Sequence, residues 1–280
     1  MCHLDDELQL LVAAANDREH QADICVWDDP AIDWNSYDSV VVRSCWDYTG
    51  RREEFVAWAR SIERLHNPAA VIAWNTDKVY LRKLVAHGTP VIQTYWDVHS
   101  GDDIGEHSEW VCKPSVSAGS RDTARWSSRE NVYAHSAALI AAGRTSMVQP
   151  YVQSVDTDGE TAMIFLGGEF SHAIRKSQLL YKGESADVDR DSREMITPRA
   201  PTAAQHEVAA ESLAVVARIL DLEEPLLYAR VDLVTASDGS PLVIELELTE
   251  PSLFLAYSED GAGMLIRALE SWPAPTNLAT

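Results

Sequence analysis

Apolar residues recur three and four positions apart from Asp5 to Arg18, the spacing that builds one face of a helix, and shorter apolar runs follow. Ala22 to Trp27 and Ser39 to Val42 read as short strands, Glu53 to Leu65 as an amphipathic helix, and Ala70 to Trp74 as a strand. Thr76 to His87 reads as a helix stopped by Gly88, after which Thr89 and Pro90 open a strand through Thr94. This alternation predicts a parallel α/β unit over residues 1–95. The polar segment Asp97 to Glu109 reads as a linker into a second unit, residues 96–155. That unit has strands at Glu109 to Lys113 and Ser146 to Val152 around a helix near Ser128 to Ala142. A third unit, residues 156–280, opens with strands Glu160 to Leu166 and Glu169 to Lys176. Gly167 and Gly168 between them supply the positive φ angles of a tight hairpin. Lys182 to Arg199 is charged, poor in apolar residues and expected to be a mobile loop. A helix over Thr202 to Leu220, a second hairpin and a helix near Asp260 to Glu270 complete the chain.

Composition narrows the function classes. A chain of 280 residues with 46% hydrophobic content can bury a substantial core, and no apolar run reaches the roughly 20 residues needed to cross a bilayer. The start, Met1 to Asp6, has neither a basic head nor an apolar core, so a cytoplasmic location is expected. Formal net charge is −21, which repels nucleic acid and anionic membrane alike. Cys2, Cys25, Cys45 and Cys112 lack metal-type spacing and are expected to be reduced thiols without chemistry.

The chemistry concentrates in the second hairpin. Leu226 to Thr235 and Leu242 to Leu248 are strands joined by Ser237-Asp238-Gly239-Ser240. Glu245 and Glu247, two apart, project from one face, with Ile244, Leu246 and Leu248 on the other, and antiparallel pairing brings Asp232 beside Glu245. Carboxylates so crowded stay ionised only with a cation among them. A Mg²⁺ held together with substrate phosphates fits three such oxygens; an acidic face neutralised by Arg230 is the alternative.

Several motifs stand in order before this hairpin. They are Trp74-Asn75-Thr76-Asp77-Lys78, Val111-Cys112-Lys113-Pro114 with Ala118-Gly119-Ser120, Gln149-Pro150-Tyr151-Val152, and Gly159-Glu160. Together with Arg230, Asp232, Glu245 and Glu247 the set resembles the ATP-grasp ligases over nearly the whole chain. The resemblance implies an α/β (α+β) fold: a pre-ATP-grasp domain, then two α+β subdomains that sandwich ATP. It makes Lys78 and Lys113 phosphate ligands, and the loop Ser115 to Asp122, with Ser120, a lid donating backbone N–H groups. Gln149, Tyr151 and Val152 would form the hinge that reads adenine, and Glu160 would take the ribose hydroxyls. Asp232, Glu245 and Glu247 would hold Mg²⁺, although many relatives carry Asn where Glu247 stands. Arg175 and Arg230 would neutralise charge on the transferred phosphoryl group.

Family chemistry implies that ATP phosphorylates a carboxylate and a nucleophile then attacks the acyl phosphate. No Ser/His/Asp or Cys/His nucleophile set competes with this reading. Substrate recognition is expected at the end of the strand Val40 to Val42, where Arg43, Ser44 and Tyr48 offer charge and hydroxyls, with His172 from the later sheet. Arg-Ser-Cys-Trp-Asp-Tyr, Gly-Glu-Phe-Ser-His-Ala and Glu-Leu-Glu-Leu-Thr-Glu-Pro resemble the branch of cyclo-ligases that convert O-ureido-D-serine to the antibiotic D-cycloserine. That branch implies an amino-acid-derived small molecule closing on itself. An intermolecular ligase joining an amino acid to an amine is the alternative, a nucleotide-binding regulator without catalysis is a third reading, and a homodimer is common among relatives. Family members begin with a strand, whereas only Met1 to Leu4 precede the first helix here.

Overall fold

The computed structural model describes residues 5–182 and 194–271. Helix α1 (Glu7–Asn16) begins directly at the described chain, so the expected first strand, at residues 1–4, lies outside the described residues. Among the described residues the N-terminal part forms a two-stranded parallel sheet, β1 (Val40–Val41) with β2 (Leu65–His66). Around it pack α2 (Arg52–Arg60), α3 (Ala69–Asn75) and α4 (Leu81–Ala86).

Two expected strands are not strands. Ala22 to Trp27 runs without assigned secondary structure. Ala70 to Trp74 lies in α3, which starts after Pro68 and buries Val71 and Ile72. Its alanine-rich run favours helix, and an apolar stretch that short does not distinguish the two by period. The helix expected from Thr76 divides into a 3₁₀ turn, Lys78–Tyr80, capped by the Asp77 side chain, and then α4. The strand expected through Thr94 is a single parallel bridge from Val91 to Val243.

A four-stranded antiparallel sheet follows, in the order β3 (Tyr95–Trp96), β6 (Ser146–Pro150), β4 (Trp110–Pro114), β5 (Ala124–Trp126). Helix α5 (Arg129–Ala141) covers it through Val132 and Leu139. Strand β5 was not foreseen. The third sheet is antiparallel, ordered β11 (Pro241–Glu247), β10 (Tyr228–Thr235), β7 (Glu160–Leu166), β8 (Glu169–Lys176), β9 (Ile196–Pro198). Gly167 and Gly168, at φ of +61° and +78°, make the tight turn between β7 and β8. Helix α6 (Ala203–Leu220) opens with a reciprocal cap between Thr202 and Gln205. It packs on one face of this sheet, and α7 (Gly261–Ser271) with α1 packs on the other. Residues 183–193, within the expected loop at Lys182 to Arg199, lie outside the described residues; Ile196 to Pro198 are strand.

Side chains from α3 and the 3₁₀ turn lock the N-terminal part onto β11. Asn75 Nδ2 donates to the Leu246 carbonyl, its Oδ1 accepts from the Leu248 N–H, and the Tyr80 hydroxyl bonds both polar groups of the Leu246 backbone. Lys78 is thereby seated against the acidic strand.

Candidate active site

One cavity of about 1910 Å³ runs between the two antiparallel sheets and reaches the N-terminal part. That exceeds the roughly 300–1,000 Å³ of a single small-ligand site and leaves room for a nucleotide beside a second substrate. Lys78, Lys113, Ser120, Gln149, Tyr151, Val152, Glu160, Arg230, Glu245, Glu247, Arg43, Ser44 and Tyr48 all line it.

Its floor is the acidic hairpin. Asp232 stands opposite Glu245 and Arg230 opposite Glu247, and carboxylate oxygens of Asp232, Glu245 and Glu247 lie within 4.8 Å of one another. Pairing shifts between Asp232 and Leu233, so Ile244 is an extra residue in β11. Ile244 accordingly lines the cavity, beside Tyr151 and Val152, and does not join Leu246 and Leu248 in the core beneath as the alternation predicts.

Arg230 grips Asp232 with two bonds, Nε to Oδ1 at 2.8 Å and Nη2 to Oδ2 at 3.0 Å, and also donates to Glu247. Lys78 Nζ lies 3.4 Å from Glu245 and 2.9 Å from the Ser117 carbonyl, which ties it to the glycine-containing loop. That loop turns through left-handed backbone at Gly119, Ser120 and Asp122, and Arg144 holds Asp122 at 2.6 Å. Sequence reasoning missed Lys176, whose Nζ is 2.9 Å from Asp232 and 3.0 Å from Glu160.

Lys176 occupies the place expected for Arg175, and the reason is one residue. Leu166 pairs with Glu169 and Phe165 with Phe170, a register that would continue to Glu160 opposite Arg175. An extra residue at Ser171 shifts the ladder, so Lys176 stands opposite Glu160 and Arg175 turns to the other face. Arg175 is not a cavity residue: it donates to the carbonyls of Asp158 at 2.6 Å and Thr157 at 3.0 Å. His172 is not one either. Its Nε2 sits 2.9 Å and 3.1 Å from the carbonyls of Leu253 and Phe254, fastening the loop after β11 to β8.

The expected hinge is braced from behind. Gln149 donates to the Thr94 hydroxyl, and the Tyr151 N–H is taken by the Glu109 carbonyl. The Tyr151 hydroxyl donates to Asp156, and the Arg125 guanidinium stacks 3.5 Å from the centre of its ring. At the other end, Tyr48 stacks on Phe55, and Ser44, at φ +52°, donates to Asp5.

Electrostatics separate the acids. Burial works against the Glu245 carboxylate, but Lys78, Lys113, Lys176 and Arg230 outweigh it and hold its pKa well below the ordinary range. Burial also opposes the Asp232 charge, which Arg230 and Lys176 rescue. Glu247 lacks enough of that help: burial, reinforced by Glu245 and Asp232, pushes it up to about 7 against Arg230. Glu250, a further cavity residue, is pushed up to about 8 by burial and then by Glu247. Lys113 is lowered, chiefly by burial. Three carboxylates whose oxygens converge within 4.8 Å, with Glu247 the least compensated of them, are a hard oxygen donor set that fits a bound Mg²⁺.

Three lysines, Lys78, Lys113 and Lys176, gathered about an acidic triad in a cavity between two antiparallel sheets are the arrangement of an ATP-grasp ligase. Solved structures bear out the fold. D-alanine–D-alanine ligase from Bacillus anthracis complexed with ATP superposes with a TM-score of 0.61 at 12% identity, over 96% of this chain and 92% of that one. A RimK domain ATP-grasp protein from Sphaerobacter thermophilus gives 0.64 at 17%, over 95% and 96%. Residues 1–67 match the family model for the N-terminal domain of D-cycloserine synthetase DcsG. The cycloserine biosynthesis protein DcsG of Streptomyces lavendulae is 38% identical, over 95% of this chain and 93% of that protein. The crystal structure of D-cycloserine synthetase DcsG superposes with a TM-score of 0.86, over 95% and 94%. The chain belongs to the D-cycloserine synthetase family of ATP-grasp ligases. No helix among its described residues is long and apolar enough to cross a membrane.

Proposed function

We propose that this chain uses ATP and Mg²⁺ to activate the carboxylate of O-ureido-D-serine and closes it to the D-cycloserine ring. The observation that carries this reading is the 38% identity to a cycloserine biosynthesis protein along 95% of the chain. The full set of Lys78, Lys113, Asp232, Glu245 and Glu247 around one cavity supports it.

Lys78, Lys113 and Lys176 supply fixed positive charge against the triphosphate. Asp232, Glu245 and Glu247 would hold Mg²⁺, which would supply positive charge against the phosphates. Arg230, pinned by Asp232, presents Nη2 toward the carboxylates and stabilises charge on the phosphoryl group in flight. A substrate carboxylate oxygen attacks the γ-phosphorus and ADP leaves. The nitrogen bonded to the substrate's side-chain oxygen then attacks the acyl carbon, a five-membered ring forms, and phosphate leaves. That nitrogen carries a carbamoyl group, so reaching D-cycloserine also consumes water and removes the carbamoyl as carbon dioxide and ammonia. Ring closure needs no protein nucleophile, only two ends of one molecule held together. Tyr151, Val152 and Ile244 form an apolar wall suited to a nucleobase, and Glu160 and Gln149 lie beside it.

The test is Mg²⁺-dependent ADP release with O-ureido-D-serine as the sole added substrate, with mass spectrometry of the product. A cycloserine-sized product is expected. ADP release only when a second amine is supplied would make the enzyme an intermolecular ligase, and AMP with pyrophosphate would sink acyl-phosphate chemistry.

A further inference from the structure

Beyond Glu247, where β11 passes into the following loop, two ionisable side chains line the cavity with polar atoms that make no hydrogen bond among the described residues. Arg43 follows β1, and its side chain is 5% exposed. Its Nη2 donates to Glu7 at 3.1 Å, while Nε and Nη1 are buried with no hydrogen bond among the described residues. A buried N–H left without an acceptor destabilises the fold, so this arrangement is maintained against a cost. Glu7 cannot turn to serve them. Its two oxygens accept the backbone N–H groups of Leu253 at 2.9 Å and Leu255 at 2.8 Å, which pins Arg43 to the loop after β11.

Glu250 lies on that loop. The Trp46 indole holds its backbone carbonyl at 3.1 Å, and its carboxyl lines the cavity with no hydrogen bond or ion pair among the described residues. Glu250 feels the charge of Arg43, yet the two side chains do not meet. Arg43, with two buried N–H groups unclaimed and its guanidinium 5.5 Å from the Tyr228 ring centre, and Glu250, with its carboxyl unbonded among the described residues, line the same cavity.

We propose that Arg43 and Glu250 form the subsite for the substrate's ureido group, Arg43 Nε and Nη1 donating to its carbonyl oxygen and Glu250 accepting its amide N–H. The assignment rests on the ring-closing reading above. Charge balance selects this group. A second carboxylate would add negative charge beside Glu250, which burial and then Glu247 already push up to about 8, and an ammonium would leave the Arg43 N–H groups without an acceptor. A neutral planar group that carries acceptor and donors on adjacent atoms satisfies both.

The experiment is calorimetric titration of O-ureido-D-serine and of D-serine, which shares the head but lacks the tail, in the presence of Mg²⁺ and a non-hydrolysable ATP analogue. Wild type is expected to prefer the ureido ligand. Glu250→Gln and Arg43→Met are each expected to cut that preference by about tenfold, the worth of one charge-assisted hydrogen bond, while leaving D-serine within about twofold. Arg43→Met disturbs the Glu7 contact, so the nearly isosteric Glu250→Gln decides, with analogue binding as the check of the fold. An unchanged preference in Glu250→Gln overturns the subsite alone. Loss of D-serine affinity in that variant also overturns it, by giving Glu250 the ammonium. A wild type that shows no preference overturns the ring-closing reading and the subsite with it.

Discussion

Two buried ion clusters in this molecule differ in what they leave over. Behind the hinge, Arg125 on β5 bonds Glu109 at 2.5 Å and Asp156 at 2.8 Å and stacks on Tyr151; Gln153 donates to the same Glu109 oxygen, and Lys182 lies 3.7 Å from the other, which is buried without a hydrogen bond among the described residues. Both acids are held below their ordinary range: the Arg125 bond dominates at Glu109, and at Asp156 it overcomes burial. Every charge there has its partner within the protein. At the cavity floor, Glu245 and Asp232 are likewise held low, but burial pushes Glu247 and Glu250 up to about 7 and 8. Buried charge answered from within is architecture, and buried charge left unanswered marks where a cation and a substrate enter.

Breaking the cavity cluster should show in catalysis. Glu245→Gln removes a metal oxygen and the partner of Lys78, and substrate-dependent ADP release should fall by on the order of 10²–10³-fold. Circular dichroism and thermal unfolding should stay close to wild type; full activity in a folded Glu245→Gln protein would remove the metal site.

Breaking the hinge cluster should show in stability. Arg125→Met leaves Glu109, 7% exposed, without its main partner, and unfolding free energy in urea should drop by about 3 kcal/mol, the lower end for a broken buried pair because Gln153 and Lys182 remain. A change under about 1 kcal/mol would mean that the cluster does not brace the fold.

His66, 3% exposed on β2, adds a buried ionisable group that the fold keeps neutral. Burial lowers its pKa from 6.5 to about 4. Between those values the unfolded chain binds the proton and the folded one does not, so stability is complete above pH 6.5 and declines as pH falls toward 4. The loss should total on the order of 3 kcal/mol. Urea unfolding at pH 7, 5.5 and 4.5 checks this, and a His66→Gln protein should show a shallower decline over that window.

The smallest effect is expected at Arg175, whose neighbour should behave oppositely. Arg175→Gln loses two hydrogen bonds to loop carbonyls, should cost about 1–2 kcal/mol of stability and should leave kcat within a few-fold. Lys176→Met should reduce ADP release by at least about 10²-fold. Equal loss from both would put Arg175 back among the phosphoryl-binding groups.

Much of this site is legible in the chain before any folding is known. Asp232 beside Glu245 follows from two strands and a short turn, and the Gly167-Gly168 turn and the cap at Thr202 follow from local conformational preference. Lys176 was hidden because a strand's facing side depends on parity, and the single extra residue at Ser171 inverts it with no mark in the local sequence. Ile244 was misplaced by the same kind of irregularity on β11. Short apolar runs misled in the N-terminal part, where the run in α3 is too short for its period to separate strand from helix, and the helix buries Val71 and Ile72.

By itself, then, the sequence determined the order of motifs and the acidic strand, because those depend on residue type and on spacings of two or three, and through the resemblance those motifs carry it pointed to Lys78 and Lys113. Only the tertiary structure decided which arginine turns inward, that Arg43 and Glu250 line one cavity, and that the acids of the hinge cluster are held low while Glu247 and Glu250 at the cavity are pushed up. Those outcomes depend on bulges, on contacts between residues about 200 positions apart such as Trp46 with Glu250, and on how much water each charge loses, none of which is carried by neighbours along the chain.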